Sequence, residues 1–347
     1  MKFLKYLLIF IPLSILSEFL GFSATLIFVF AALSIIPLAG FMGEATEEIS
    51  FYTGPKIGGF LNATFGNATE LIISFFALKA GLFEVVKASI AGSVIGNILL
   101  VLGASMLAGG IKYKSQRFNI KVVEISASML LFAVVGLCIP AIFTHTVSDV
   151  LLNTTYEKLS IIVAGIMFLI YLLSLFFSFY THKDIYSADH SQESSAKWSL
   201  KKAVTVLVLA TSVIALESEF LVGAVEPMTE SLGLSSFFVG IILIPIIGNA
   251  AEHTTAITMA LKNKMDVAVE IAIGSSLQII LFVTPVLLFL SLLFTPMSII
   301  FNEFELVALV VAVLIANRVS NDGESNWLEG IQLLAVYLII AVAFLFV

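Results

Sequence analysis

The chain of 347 residues is 60% apolar and only 12% charged, whereas soluble domains run at about 45–50% and 25%, so a water-soluble fold of this composition could not cover its own core. The formal net charge of −7 comes without any basic patch interleaved with aromatics, which argues against nucleic-acid partners. Cys138 is the only cysteine, and that excludes a disulfide framework or a thiolate metal cluster.

Apolar stretches of roughly twenty residues, the length that crosses a bilayer as a helix, follow one another along the chain. The first, MKFLKYLLIFIPLSIL, places Lys2 and Lys5 ahead of an apolar run. No small-x-small cleavage site follows and a second span comes at once, so it reads as an uncleaved helix rather than a signal peptide. Spans are predicted at about 4–20, 23–43, 57–80, 86–109, 120–143, 158–180, 203–225, 236–261, 266–294, 302–318 and 328–347. The expected fold is therefore an all-α integral membrane protein with eleven transmembrane helices in contact with the lipid bilayer. One long polar stretch, from Thr181 to Lys202, interrupts the series.

Lys and Arg accumulate in cytoplasmic loops. With the N-terminus inside and the C-terminus outside, only Lys79, Lys87 and Lys158 of the 17 Lys and Arg fall on the outer side. An extra or missing helix would scramble that bias, so span count and charge count support each other. The sequons at Asn62 and Asn67 fall inside the third predicted span, where they are not expected to carry glycan.

Gly66-Asn67-Ala68-Thr69-Glu70 returns as Gly248-Asn249-Ala250-Ala251-Glu252, a shift of 182 from Glu70 to Glu252. The same shift places Glu44 on Glu226, Glu48 on Glu230 and Gly92-Ser93 on Gly274-Ser275. Helices two to six thus correspond to helices seven to eleven, and because five is odd the second copy crosses in the opposite sense. That is the mark of an inverted-repeat transporter with a central site reached from each side in turn. The predicted organisation is a leading helix at 1–22, a first five-helix repeat at 23–180, a cytoplasmic linker at 181–202 and an inverted second repeat at 203–347.

A carboxylate at membrane depth costs roughly 2.5–3.5 kcal/mol on insertion scales, so two in matching places call for a role. Asn67 and Glu70 are three apart, as are Asn249 and Glu252, which puts each pair on one helix face. Gly66 and Gly248, with Pro245 upstream, weaken helical hydrogen bonding and can free backbone carbonyls. Carboxylate, amide and carbonyl oxygens together make the ligand set of a hard cation such as Ca²⁺. Burial and mutual repulsion keep protons on both acids until a divalent ion displaces them. Cation and protons then compete for one site, as an exchanger requires. Ser93, Asn97, Ser275 and Gln278 recur on the following helices as candidates to complete the pathway, with helix packing as the alternative. Glu217 in the seventh span is a candidate gating or proton residue. Glu44, Glu48, Glu226 and Glu230 read as a solvated entrance rim, and Glu124, Glu270, Glu303 and Glu305 as interfacial. His253 could tune Glu252 or simply pack.

The stretches GNATELIISFFAL and GNAAEHTTAITMA, followed by AGSVIGNILLVLG and IGSSLQIILFV, resemble the two repeats of the calcium/cation–proton exchangers, within the calcium:cation antiporter superfamily. GEATEE near Glu44, EPMTESLGLSSFFVGIILIPI and NDGESNWLEGIQLLAVY extend the resemblance over essentially the whole chain. It implies one leading helix plus two inverted five-helix halves. It also implies Glu70 and Glu252 as cation ligands and proton carriers, assisted by Asn67, Asn249 and nearby backbone oxygens. Sodium/calcium exchangers of the superfamily usually carry Pro before the glutamate and often an acid in the next helix. Here Thr69, Ala251, Asn97 and Gln278 stand at those places, which favours protons as counter-ion. The linker, with Asp184, Asp189 and Glu193 among lysines, lacks the strongly acidic segment of many members, which argues against calcium regulation through it.

The expected function is a secondary antiporter that exports Ca²⁺ from the cytosol in exchange for H⁺, with no resident cofactor and possible homo-oligomers. A sodium-driven exchanger of the same fold is the alternative, and a cation channel a weaker one. An intramembrane metalloenzyme is disfavoured, because the four histidines (His145, His182, His190, His253) are scattered and no His-Glu-x-x-His occurs. Short loops point to a cell membrane, with an acidic organelle such as a vacuole as the alternative.

Overall fold

A computed structural model describes residues 4–144, 152–186 and 196–346. Lys2, His145, Asp189, His190 and Glu193 lie outside the described residues. A 3₁₀ turn (Leu4–Ile9) leads into α1 (Phe10–Phe19), followed by α2 (Ala24–Phe65), α3 (Ala68–Lys79), α4 (Phe83–Ile95), α5 (Leu102–Tyr113), α6 (Ile120–Thr144), α7 (Leu152–Phe176) and α8 (Lys183–Tyr186). Next come α9 (Leu200–Gly223), α10 (Val225–Leu232), α11 (Ser236–Phe238), α12 (Ile244–Gly248), α13 (Ala250–Leu261), α14 (Met265–Gln278), α15 (Thr284–Ser291), α16 (Glu303–Val319) and α17 (Trp327–Leu345). Short π-helical stretches join α4 to α5 (Gly96–Val101), α11 to α12 (Val239–Leu243) and α14 to α15 (Ile279–Val283).

Among the described residues seven helices are long and apolar enough to cross a membrane, or eight if the bent pair Val225–Leu232 and Ser236–Gly248 counts as one span. Four of the eleven predicted spans fall short, each for a local reason. The first is mostly 3₁₀ before α1. The third and eighth are broken next to Gly66 and Gly248. The tenth, α16, has 17 residues. The second predicted span ends at 43, yet the helix runs on through GEATEE to Gly54, whose φ of 79° turns the chain, a conformation open to glycine at little cost.

The chain divides into two compact units, Met1–Val86 with Ser187–Glu252 and Lys87–Tyr186 with His253–Val347. Each takes a piece of both predicted repeats. In the first unit, α2 presents Leu38, Met42, Ala45 and Ile49, and α9 presents Ala203, Leu207, Ala210 and Ile214. Both stripes have the 4-3-4 spacing that keeps one helix face against another. Ala68, first residue of α3, packs in the same cluster, which anchors the start of the helix that carries Glu70. Glu48 is 5% exposed. It accepts the backbone N–H groups of Lys197 and Trp198 at 2.8 and 2.9 Å, just before α9. It is a fastening for the chain that leads into α9, not part of a solvated rim.

In the second unit, α5 and α17 cross where Gly103 and Gly330 bring their backbones together. At one end, Lys112 Nζ and the Tyr113 hydroxyl donate to the Leu261 carbonyl at 2.8 and 2.9 Å, and Gln116 Nε2 donates to the Ala260 carbonyl at 2.9 Å. These donors satisfy the open carbonyl end of α13. A two-stranded antiparallel ribbon, β1 (Ser115–Arg117) with β2 (Glu324–Asn326), departs from an all-α fold. Three-residue strands are too short to leave an alternating pattern in sequence. Its charged rung is Arg117 Nε to Glu324 Oε1 at 2.8 Å. Glu305, read as interfacial, is 2% exposed and caps α16 through the Asn302 N–H at 2.7 Å.

Candidate cation site

Both Gly-Asn-Ala-x-Glu motifs sit at helix breaks. Asn67 (φ −102°, ψ 19°) separates α2 from α3, and Asn249 (φ −92°, ψ 6°) separates α12 from α13. Glu70 and Glu252 consequently occupy the first turns of α3 and α13, not the middle of continuous helices. Asn67 and Asn249 are thus junction residues, each three positions before its glutamate. At the second break the Pro245 carbonyl accepts both the Asn249 N–H and its Nδ2 at 3.0 Å. At each junction the carbonyl end of one helix meets the amide end of the next. This is the discontinuous helix that ion carriers use to present backbone oxygens and dipole ends at membrane depth.

The two motifs meet. Glu70 is 4% exposed, and among the described residues no other residue hydrogen-bonds its carboxylate oxygens. Its Oε1 lies so close to Gly248 that a Cβ there would stand 2.9 Å from Oε1 and 3.2 Å from Cδ. Glu252 is within electrostatic reach of Glu70. Asn67 and Asn249 are each 1% exposed. Gly248 thus makes room for the acid of the other motif, beyond the backbone freedom expected of it. Gly248→Ala should push the Glu70 carboxylate aside by a few tenths of an ångström. The expected result is a rise of about tenfold in KM for the transported cation with little change in melting temperature, read by initial-rate uptake and by thermal unfolding in detergent. The magnitude follows from about 1.4 kcal/mol of misplaced ligand.

The pathway candidates on the following helices belong to the second unit. Asn97 is the second residue of the π-helical stretch after α4, and its Nδ2 donates to Ser275 Oγ at 3.1 Å, both residues being buried. Gln278 ends α14 immediately before the matching π-helical stretch, and Ser93 is buried on α4. Single-turn π bulges gather at functional positions, and a run of apolar residues gives no sign of them. Glu217 lies apart from the acid pair, facing Ser14 and Ser34. Glu226 and Glu230 are exposed on α10, and Glu124, Glu270 and Glu303 are exposed as well. His253 Nε2 is buried and has no hydrogen-bond partner among the described residues. Among the described residues no three His, Cys, Asp or Glu cluster as a metal centre.

Apolar spans interrupted at two acid-bearing breaks define a membrane transporter of ions, working by exposure of a buried site. The chain belongs to the sodium/calcium exchanger protein family, whose profile matches residues 23–180 and 202–346. It is 49% identical over 356 residues to the Ca(2+)/H(+) antiporter of Aphanothece halophytica, covering 98% of this chain and 95% of that one. It is 48% identical over 340 residues to Ca(2+)/H(+) antiporter ChaA of Bacillus subtilis, covering 96% of each. The solved structure of native YfkE matches with a TM-score of 0.87 at 44% identity, over 99% of this chain and 100% of that one.

Proposed function

We propose that this protein is a Ca²⁺/H⁺ antiporter that exports Ca²⁺ from the cytosol by alternating access. The observation that carries the reading is the buried Glu70 carboxylate lying against Gly248 of the second motif, with Glu252 within electrostatic reach. Two carboxylates there balance one Ca²⁺ or bind protons in its stead. The antiporters named above support the choice of ions. Ca²⁺ takes six to eight oxygens. The ligands we assign are the carboxylates of Glu70 and Glu252, the amide oxygens of Asn67 and Asn249, and carbonyls freed around Gly66 and Gly248. Asn97, Ser275, Ser93 and Gln278 are assigned to the pathway. We further infer eleven spans, built as a leading helix and two inverted repeats divided as 23–180 and 203–347. The π-helical stretches support the repeat, because Gly96–Val101 and Ile279–Val283 coincide under the 182-residue shift. The Lys and Arg distribution supports a cytoplasmic N-terminus in a cell membrane.

Sealed vesicles loaded with acid and bathed at neutral pH test the function. External Ca²⁺ should accumulate and the uptake should collapse when a protonophore dissipates the pH gradient. Acidifying the bath should weaken uptake, since protons on the carboxylates exclude the cation. Uptake driven by a sodium gradient with no pH difference would replace this reading with sodium/calcium exchange.

A further inference from the structure

Glu217 is a buried acid that the cation site leaves unused. It is 0% exposed on α9, six residues before the helix ends at Gly223, which sets it roughly 9 Å along the axis from that end. It faces Ser14 of α1 and Ser34 of α2, both also 0% exposed. Ser34 donates to the Ala31 carbonyl at 2.8 Å, which leaves the Ser14 hydroxyl as the donor able to turn toward the Glu217 carboxylate.

The charges around it can be named element by element. α1 carries only Glu18, which is exposed. α2 has no ionisable side chain from Ala24 to Gly43, and its acids Glu44, Glu47 and Glu48 lie beyond. α3 contributes Glu70, which belongs to the cation site, and Lys79, which pairs in the open with Glu219 at 3.9 Å. Lys201 and Lys202 stand at the opposite end of α9, and Glu226 and Glu230 of α10 are exposed. Among the described residues no cation pairs with Glu217. An ionised carboxylate without a counter-charge is poorly tolerated at membrane depth, while a neutral acid is accepted. Ser14 Oγ has both a proton and lone pairs to offer. It can accept from the acid, or donate to the carboxylate once the proton has gone.

Resting on the Ca²⁺/H⁺ reading, we propose that Glu217 and Ser14 form a third proton-binding site, separate from the acid pair, that loads and unloads once per cycle. Three protons then move against each Ca²⁺, and one net charge crosses the membrane. No bond other than the acid O–H is made or broken.

The test is the Ca²⁺ gradient that purified protein sustains at equilibrium in proteoliposomes, with potassium and valinomycin holding the potential at zero. One pH unit supports a gradient of about 1000-fold with three protons and about 100-fold with two, each proton contributing a factor of ten. Wild type should reach the larger value and respond to an imposed potential. Glu217→Gln should reach the smaller one and lose the voltage response. Ser14→Ala should keep the larger gradient but displace the pH at which uptake is half-maximal. A wild-type gradient of about 100-fold overturns the proposal, as does a Glu217→Gln protein that keeps about 1000-fold. Should Glu217→Gln fail to insert, a Ser14→Ala protein with an unmoved pH profile overturns it. Wild-type protein that accumulates no Ca²⁺ under a pH gradient would instead refute the exchange reading on which it rests.

Discussion

Glu70→Gln should reduce proton-driven Ca²⁺ uptake at least roughly 100-fold while the protein still folds and inserts, because removing one member of a buried ionic set typically costs about 3–5 kcal/mol. Glutamine keeps the shape of the side chain but offers one neutral oxygen where a carboxylate offers two charged ones, and it cannot carry a proton. Fold stability should move the other way or not at all. Among the described residues the Glu70 oxygens are hydrogen-bonded by no other residue, and they lie against Gly248, so the native fold gains little from that charge and bears the strain of burying it beside Glu252. Loss of transport with an unchanged or raised melting temperature is therefore the signature, and Glu252→Gln should share it. Uptake assays in proteoliposomes, paired with thermal unfolding in detergent, read both quantities. Near-normal transport by Glu70→Gln would remove that residue from the site.

The second large effect falls outside the cation site, at Gly330 of α17. At Gly330 a Cβ would stand 2.4 Å from the Leu107 amide nitrogen and 2.6 Å from the Gly103 carbonyl oxygen. Those are backbone atoms, which cannot rotate away, so α5 and α17 would have to part. Close backbone approach through small residues holds membrane helices together in place of a hydrophobic driving force. Gly330→Ala should accordingly destabilise by about 3 kcal/mol or more, seen as a fall of several degrees in melting temperature and a reduced yield of inserted protein. Gly165→Ala on α7 is the control: a Cβ there meets nothing within 4 Å, and the exchange should be neutral or mildly stabilising through helix propensity. Equal melting temperatures for the two variants would refute this account of the crossing.

The paired motif made the acids legible in sequence, because a charge inside an apolar run stands out and its repetition stands out further. Apolar length made seven spans legible. What escaped notice leaves no compositional trace. Gly66, Gly248 and Pro245 mark where helical hydrogen bonding weakens, but the full breaks at Asn67 and Asn249 depend on backbone angles that the sequence does not encode, so each span reads as one crossing. GEATEE reads as a solvated rim at a helix end because it is polar, yet the helix continues through it and Glu48 finds a long-range partner in the amides of Lys197 and Trp198. The place of Glu70 against Gly248 is a contact between residues 178 positions apart, which no local period reveals. Glu217 was visible as an intramembrane acid, but Ser14 and Ser34 come from other helices and only the folded chain assigns them to it.

The way the first compact unit draws on both halves of the chain bears on how the protein is made. The stripe on α2 finds its complement on α9, beyond the linker, so during synthesis the Leu38, Met42, Ala45 and Ile49 face must wait without its partner until Leu200–Gly223 has emerged.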